Sequence, residues 1–282
     1  RGRRRDAGAG GHGGRMSARE LFKAAGARFS VRRVAELLAE EGIEVMPLKG
    51  ALLLETVYAG KLRVISDVDL LVRPRDYARA ARRLGQAGFS ELARDRDDRS
   101  RTLKGPLPCV VDLHRWLFQR HLFRLRTDAL FARGRPDEAL FGTRIVLPDP
   151  RDLYAHLLGH FAKSRFGRGH GAKLAELDAV QAHHALSAPV LAAHLRATGM
   201  LRVATYVLGR SGSASARALL DALEPGLVDR SVVESVRPLL ERRRAGALSV
   251  VGVHGLNESL PRASLSLASH LLGGARRRVL PV

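Results

Sequence analysis

The chain has 282 residues, 45% of them hydrophobic, and a formal net charge of +20 at pH 7. That is enough apolar material for one or two packed domains, while a single cysteine, Cys109, excludes an intrachain disulfide and points to a reducing, cytoplasmic setting. No apolar run approaches the ~20 residues of a membrane span; the best, ALSVVGV at 247–253, is far shorter, so no membrane partner is expected.

The cations are mostly arginine, spread along the chain with clusters at 1–5, 94–101, 242–244 and 276–278. A basic surface attracts anionic partners, but aromatics make up only 5% of the residues and no nucleic-acid-binding motif is present. A compositional bias towards Arg, Ala, Gly and Leu is therefore the preferred explanation, and a nucleic-acid partner the less favoured one.

Residues 1–16 are read as an Arg/Gly-rich disordered leader, with Met16 a candidate start. Ser17 and Glu20 form a capping box ahead of LFKAAGARFSVRRVAELLAEEG, whose apolar spacing is helical. IEVMPL (43–48) predicts a short strand, and Gly50 opens a helix through ALLLETVYA. The strand RVISDVDLLV (63–72) is followed by a helix over DYARAARRLGQAG that Pro74 introduces and Gly88 stops. FSELA predicts a strand, RDRDDRSR a charged surface loop, PCVVDLHRW (108–116) a strand and TRIVLP (143–148) the last strand. Beyond Pro150 the segments read as helices separated by Gly, Pro or Ser, ending with one at 262–273. The expected class is α+β: a small mixed-sheet domain at 17–148, then a helical domain at 149–282.

Asp67 and Asp69 interrupt the most apolar part of their strand. Asp is depleted in strands, and a buried carboxylate is costly unless a cation compensates it. Strand alternation puts both on one face, about 7 Å apart at Cα, with Val64, Ser66, Val68 and Leu70 on the other. The same alternation puts Val110, Asp112 and His114 together, so if the two strands are neighbours Asp112 becomes a third carboxylate. Three hard oxygen donors on rigid strands suit Mg²⁺, the remaining positions going to water and phosphate. An Asp-x-Asp alone is weak, since RDRDDRSR supplies another; the apolar strand context gives it weight. The competing reading is a strand end whose acids cap a helix or pair with Arg63 or Arg73. PLKG (47–50) adds a glycine turn where backbone N–H groups can approach a phosphate, with Lys49 contributing charge.

PLKGALLLETVY, LRVISDVDLLV and VVDLHRW, in this order and spacing, resemble the uncharacterised nucleotidyltransferase family of the DNA polymerase β-like superfamily. The resemblance spans roughly residues 30 to 185. It implies a nucleotidyltransferase domain at 17–148, with the helical part closing over nucleotide and acceptor. It assigns Gly50 and Ala51 to the phosphate-holding turn, Ala51 replacing the superfamily's usual serine. Asp67 and Asp69 become metal ligands, and Asp112 the third carboxylate and candidate general base. Arg63 and Ser66 match the lead-in to the acidic strand, and His114 its strand-end histidine. In the helical part His160, Lys163, Lys173 and Asp178 match a histidine-bearing helix and a following Asp-bearing one, as candidate substrate contacts. The implied activity is transfer of a nucleotidyl group from an NTP, ATP first, to an unidentified acceptor with Mg²⁺ or Mn²⁺. A catalytically degenerate binding protein and an RNA-directed nucleotidyltransferase are the alternatives. Read from the residues alone, His156 and His160 form an i, i+4 pair, but Leu157 stands where a zinc-protease glutamate belongs and zinc is not expected. Cys109 is expected to be a buried strand residue.

Overall fold

The computed structural model describes residues 18–59, 65–95, 97–119, 121–163, 170–241, 247–259, 261–265 and 267–268. The expectations for the leader at 1–16, the cap at Ser17, Arg63 and half of the helix at 262–273 lie outside these residues; 261–265 and 267–268 are helical. The chain is α+β. A five-stranded mixed sheet has the order β1-β2-β5-β4-β3, and a separate two-stranded ribbon pairs β6 with β7. These strands are β1 (Val45–Pro47), β2 (Asp67–Val72), β3 (Ser90–Arg94), β4 (Ser100–Lys104), β5 (Val110–His114), β6 (Arg135–Asp137) and β7 (Ile145–Leu147).

The sheet's back face forms because β2 and β5 alternate. Val68, Leu70 and Val72 of β2 and Val111 and Leu113 of β5 are all fully buried, each worth roughly 1.5–3 kcal/mol of transfer free energy. β2 packs beneath α1 (Ala18–Ala39), against which α3 (Tyr77–Gln86) packs in turn. Helix α3 buries Tyr77, Ala80 and Leu84, a helical stripe, while Arg79 and Arg83 on its outer side reach Glu41 and Glu40 at the end of α1. Gly88 then takes a left-handed φ of 87°, which ends the helix. Cys109 is buried, as expected, but lies in the bend just before β5 rather than in the strand, and its N–H donates to the Ser30 hydroxyl at 3.3 Å.

The structure corrects the expected loop at 94–101. Arg94 ends β3, and the last two residues of the stretch, Ser100 and Arg101, begin β4, which pairs antiparallel with both β3 and β5. SRTLK is too polar to show a strand pattern; its flanking partners, not its own apolar content, make it one. The expected last strand is β7, but it pairs with β6 outside the main sheet. The sequence reading also passed over α4 (Thr127–Arg133), which leads into that ribbon.

The helical series begins with α5 (Pro150–Lys163), followed by α6 (His170–His183), α7 (Ala188–Ala197), α8 (Leu201–Leu208), α9 (Ala214–Leu223), α10 (Leu227–Leu240) and α11 (Ala247–Gly255). Helix α5 is buried along most of its length and packs on α6 and α8. Gly159 lets it approach Phe118 closely; a Cβ there would run into the phenyl ring. Among the described residues, no helix is long and apolar enough to cross a membrane.

Candidate functional site

β2 and β5 run parallel, and their register sets Asp69 directly beside Asp112. Asp69 is 7% exposed, and its Oδ1 accepts from Lys49 Nζ at 2.6 Å and from His114 Nε2 at 2.9 Å. A carboxylate only accepts, so the His114 Nε2 carries the proton of that bond. Burial by itself would raise the Asp69 carboxyl. The His114 hydrogen bond and the Lys49 charge outweigh it and hold the group far below the usual carboxylate range. Burial also keeps His114 below the ordinary histidine value, against the opposing pull of Asp69.

Asp112, half-buried, accepts at Oδ1 from Thr102 Oγ1 of β4 at 2.6 Å. Asp69, Asp112 and His114 each offer a donor atom, and the three atoms lie within 4.8 Å of one another. This donor set fits a hard divalent cation: two carboxylates converge on rigid strands, and an ammonium already serves Asp69 as a cation. Asp67 is outside that cluster. It starts β2 at the exposed end, opposite Val110, and accepts from the exposed Ser66 hydroxyl at 3.1 Å. The competing pairing with Arg73 does not occur, because Arg73 bonds Glu44 at 2.9 and 3.1 Å.

Lys49 opens α2 (Lys49–Glu55) with φ 44°, in the left-handed region. For a residue other than glycine this conformation costs on the order of 1–3 kcal/mol, the kind of strain that functional sites store. The glycine of the turn is the next residue, Gly50, which is half-buried. Ala51 points into the core at 2% exposure, so the side chain that replaces the usual serine faces packing rather than the acids.

From α5, His156 is buried and ring-stacked edge-on with Phe118, and its Nδ1 has no partner. Burial first, then the Lys49 charge, keeps it well below the ordinary histidine pKa. One turn on, His160 is lowered to about 3 by the same two causes. His156 and His160 do not form a metal cluster with any described Cys, Asp or Glu. Desolvation and then the Arg99 charge lower the Lys163 amine, although its side chain still reaches solvent. A cavity of about 380 Å³ opens beside Lys49, walled by Tyr58, His160, Phe161, Lys173 and the buried Glu176. A second cavity of about 220 Å³, lined by Thr56, Arg133 and Asp149 among others, shares no residue with it and holds none of the acids.

The structure therefore brings Lys49, Asp69, Asp112 and His114 together and puts His160 and Lys173 on the adjoining cavity. It does not bring Asp178 to them. That carboxylate accepts from Ser213 and Ser215, and Ser213 is the residue that caps α9 by accepting from Ala216 N–H. Sequence reasoning missed Thr102 and Arg99. Thr102 is visible only once β4 is paired with Asp112. Arg99 is buried behind the hairpin turn, bonds Asp95 and the Leu117 carbonyl, and carries charge that bears on Asp112.

Residues 17–211 match the model of a family described as uncharacterised nucleotidyltransferase, well over half of the chain. Among solved structures, an antigenic nucleotidyltransferase-like protein from Paracoccidioides brasiliensis is similar at 15% identity and a TM-score of 0.43, over 72% of this chain and 94% of that one. Comparison with curated proteins gives no match.

Proposed function

Because the chain belongs to the uncharacterised nucleotidyltransferase family, we propose that it transfers a nucleoside monophosphate from an NTP to an acceptor and releases pyrophosphate. The observation that carries this reading is the in-register pairing of Asp69 with Asp112 beside Lys49. In this reading Asp69 and Asp112 hold Mg²⁺ or Mn²⁺, with Asp67 as the third carboxylate at the open edge of the strand. Such an ion, when bound, stabilises charge on the phosphates as a Lewis acid.

The chain's own groups do the rest. Asp112 takes the acceptor's proton as the acceptor oxygen forms its bond to the α-phosphorus. The bond from that phosphorus to the bridging oxygen breaks, and pyrophosphate leaves with the electron pair. Thr102 donates to Asp112 Oδ1 and so fixes the orientation of the carboxylate. Lys49, and Arg63 in the approach to β2, neutralise phosphate charge, with Gly50, Ala51 and Ser66 flanking the triphosphate. Residues 17–148 carry the acids, and the helical part, 149–282, supplies the cavity wall with His160 and Lys173 as substrate contacts.

The test is thermal melting with each of the four NTPs, with and without Mg²⁺. A ligand at about 100 times its dissociation constant stabilises a fold by about 2.7 kcal/mol. At least one NTP is expected to raise the melting temperature only when Mg²⁺ is present, ATP being the first candidate. No shift with any NTP rejects the transferase reading in favour of a family member that binds without catalysis.

A further inference from the structure

The ion pair between Lys49 and Asp69 puts a cation where the proposed function needs a different one. We propose that Lys49 is the resident counter-ion of Asp69 in the metal-free protein. Its ammonium and a divalent cation then occupy that carboxylate alternately, and metal loading releases Lys49 into the adjoining cavity. The inference rests on the reading of Asp69 and Asp112 as metal ligands.

Three observations carry it. First, Asp69 Oδ1 already accepts from Lys49 Nζ at 2.6 Å and from His114 Nε2 at 2.9 Å. A carboxylate oxygen has two lone pairs, so an ion that binds Asp69 through Oδ1 displaces one of these donors. His114 is buried on the rigid strand β5, whereas the Lys49 ammonium is a cation on a flexible stem beside an open cavity and repels a divalent ion strongly. Lys49 is therefore the donor that leaves.

Second, the backbone at Lys49 is held at φ 44°. Glycine adopts that conformation freely, and glycine is present one residue later. The chain carries the strain at the residue whose side chain reaches Asp69, as expected if the ammonium has a task there. Third, a destination exists. Lys49 lines the cavity that also presents His160 and Lys173, so the released ammonium faces the side from which an anionic triphosphate would be contacted. Metal and nucleotide then favour each other: the ion frees the lysine, and the phosphates give it a new partner.

Two measurements test this with Mn²⁺ alone as the probe. Mn²⁺ affinity is read from the free-ion electron paramagnetic resonance signal for wild type, Lys49→Gln and Lys173→Gln, the last sharing the cavity but not the ion pair. Lys49→Gln is expected to bind Mn²⁺ about tenfold more tightly than wild type, and Lys173→Gln to change affinity by no more than about twofold, as for a screened charge. In the second measurement wild-type protein is acylated at its amines with and without saturating Mn²⁺, and modification is read peptide by peptide. Lys49 labelling is expected to rise several-fold with the ion while Lys173 labelling holds constant. Unchanged or weaker Mn²⁺ binding in Lys49→Gln, or labelling of Lys49 that ignores the ion, overturns the exchange. If Mn²⁺ binds wild type and both variants equally, only this inference falls; if it binds none of them, the metal reading of Asp69 and Asp112 falls with it.

Discussion

Asp112→Asn is expected to slow pyrophosphate release from Mg²⁺·NTP by about 10³-fold or more, a loss near 4 kcal/mol of transition-state stabilisation. The substitution keeps shape and keeps an oxygen for the Thr102 hydroxyl, which donates to Asp112 at 2.6 Å. It removes the negative charge and the proton-accepting capacity that the proposed transfer assigns to this residue. Because Asp112 is only half-buried, the variant should melt close to wild type, so the lost activity cannot be assigned to unfolding. Asp69→Asn is expected to lose activity as severely but to disturb the fold more, since Asp69 is the buried partner of both Lys49 and His114. An Asp112→Asn protein that retains more than about a tenth of the wild-type rate, short of the 10²-fold typical for loss of such a group, would remove Asp112 from the mechanism.

The largest stability effect is expected far from the acids, at Arg133. Its guanidinium makes a two-bond pair with Asp152, Nε to Oδ2 at 2.8 Å and Nη2 to Oδ1 at 2.9 Å. Asp152 has no exposed surface, and His194 Nε2 stands 2.9 Å from its Oδ1. The cluster ties α4 to α5 and α7. Arg133→Met strands a buried carboxylate, which costs about 3–5 kcal/mol and, at a few degrees per kcal/mol for a chain of this size, lowers the melting temperature by roughly 10 °C. The double variant Arg133→Met, Asp152→Leu should regain most of that loss, because a buried ion pair replaced by apolar groups is often neutral. If Arg133→Met melts with wild type, the pair contributes nothing and the coupling between α4 and α5 lies elsewhere.

The acids were legible because strand alternation is a strict rule. A period of two put Asp67 with Asp69 and Asp112 with His114 before any neighbour was known, and only the parallel pairing of β2 with β5 had to be supplied by the structure. What alternation does not report is depth. Asp67 and Asp69 look equivalent in SDVDLLV, yet Asp67 stands at the exposed start of β2 while Asp69 is buried two residues further in. The Lys49 contact spans twenty positions of sequence, and nothing local foretells that its side chain turns back onto β2. β4 stayed hidden because its strand character is lent by β3 and β5, and Thr102 stayed hidden with it. Asp178 is singled out only by the family resemblance, and no sequence pattern foretells that two serine hydroxyls donate to it at the junction of α6 with α9.

In the proposed function Asp69 and Asp112 form the ion-binding heart of a nucleotide site. Anomalous diffraction from crystals grown with Mn²⁺ and an NTP analogue whose α,β-bridging oxygen is replaced by carbon tests it most directly. The expected result is a manganese peak bonded to carboxylate oxygens of Asp69 and Asp112, with the α-phosphate against it and the Lys49 ammonium no longer on Asp69. A peak held by other side chains, or a bound analogue whose phosphates lie away from these two strands, would contradict it.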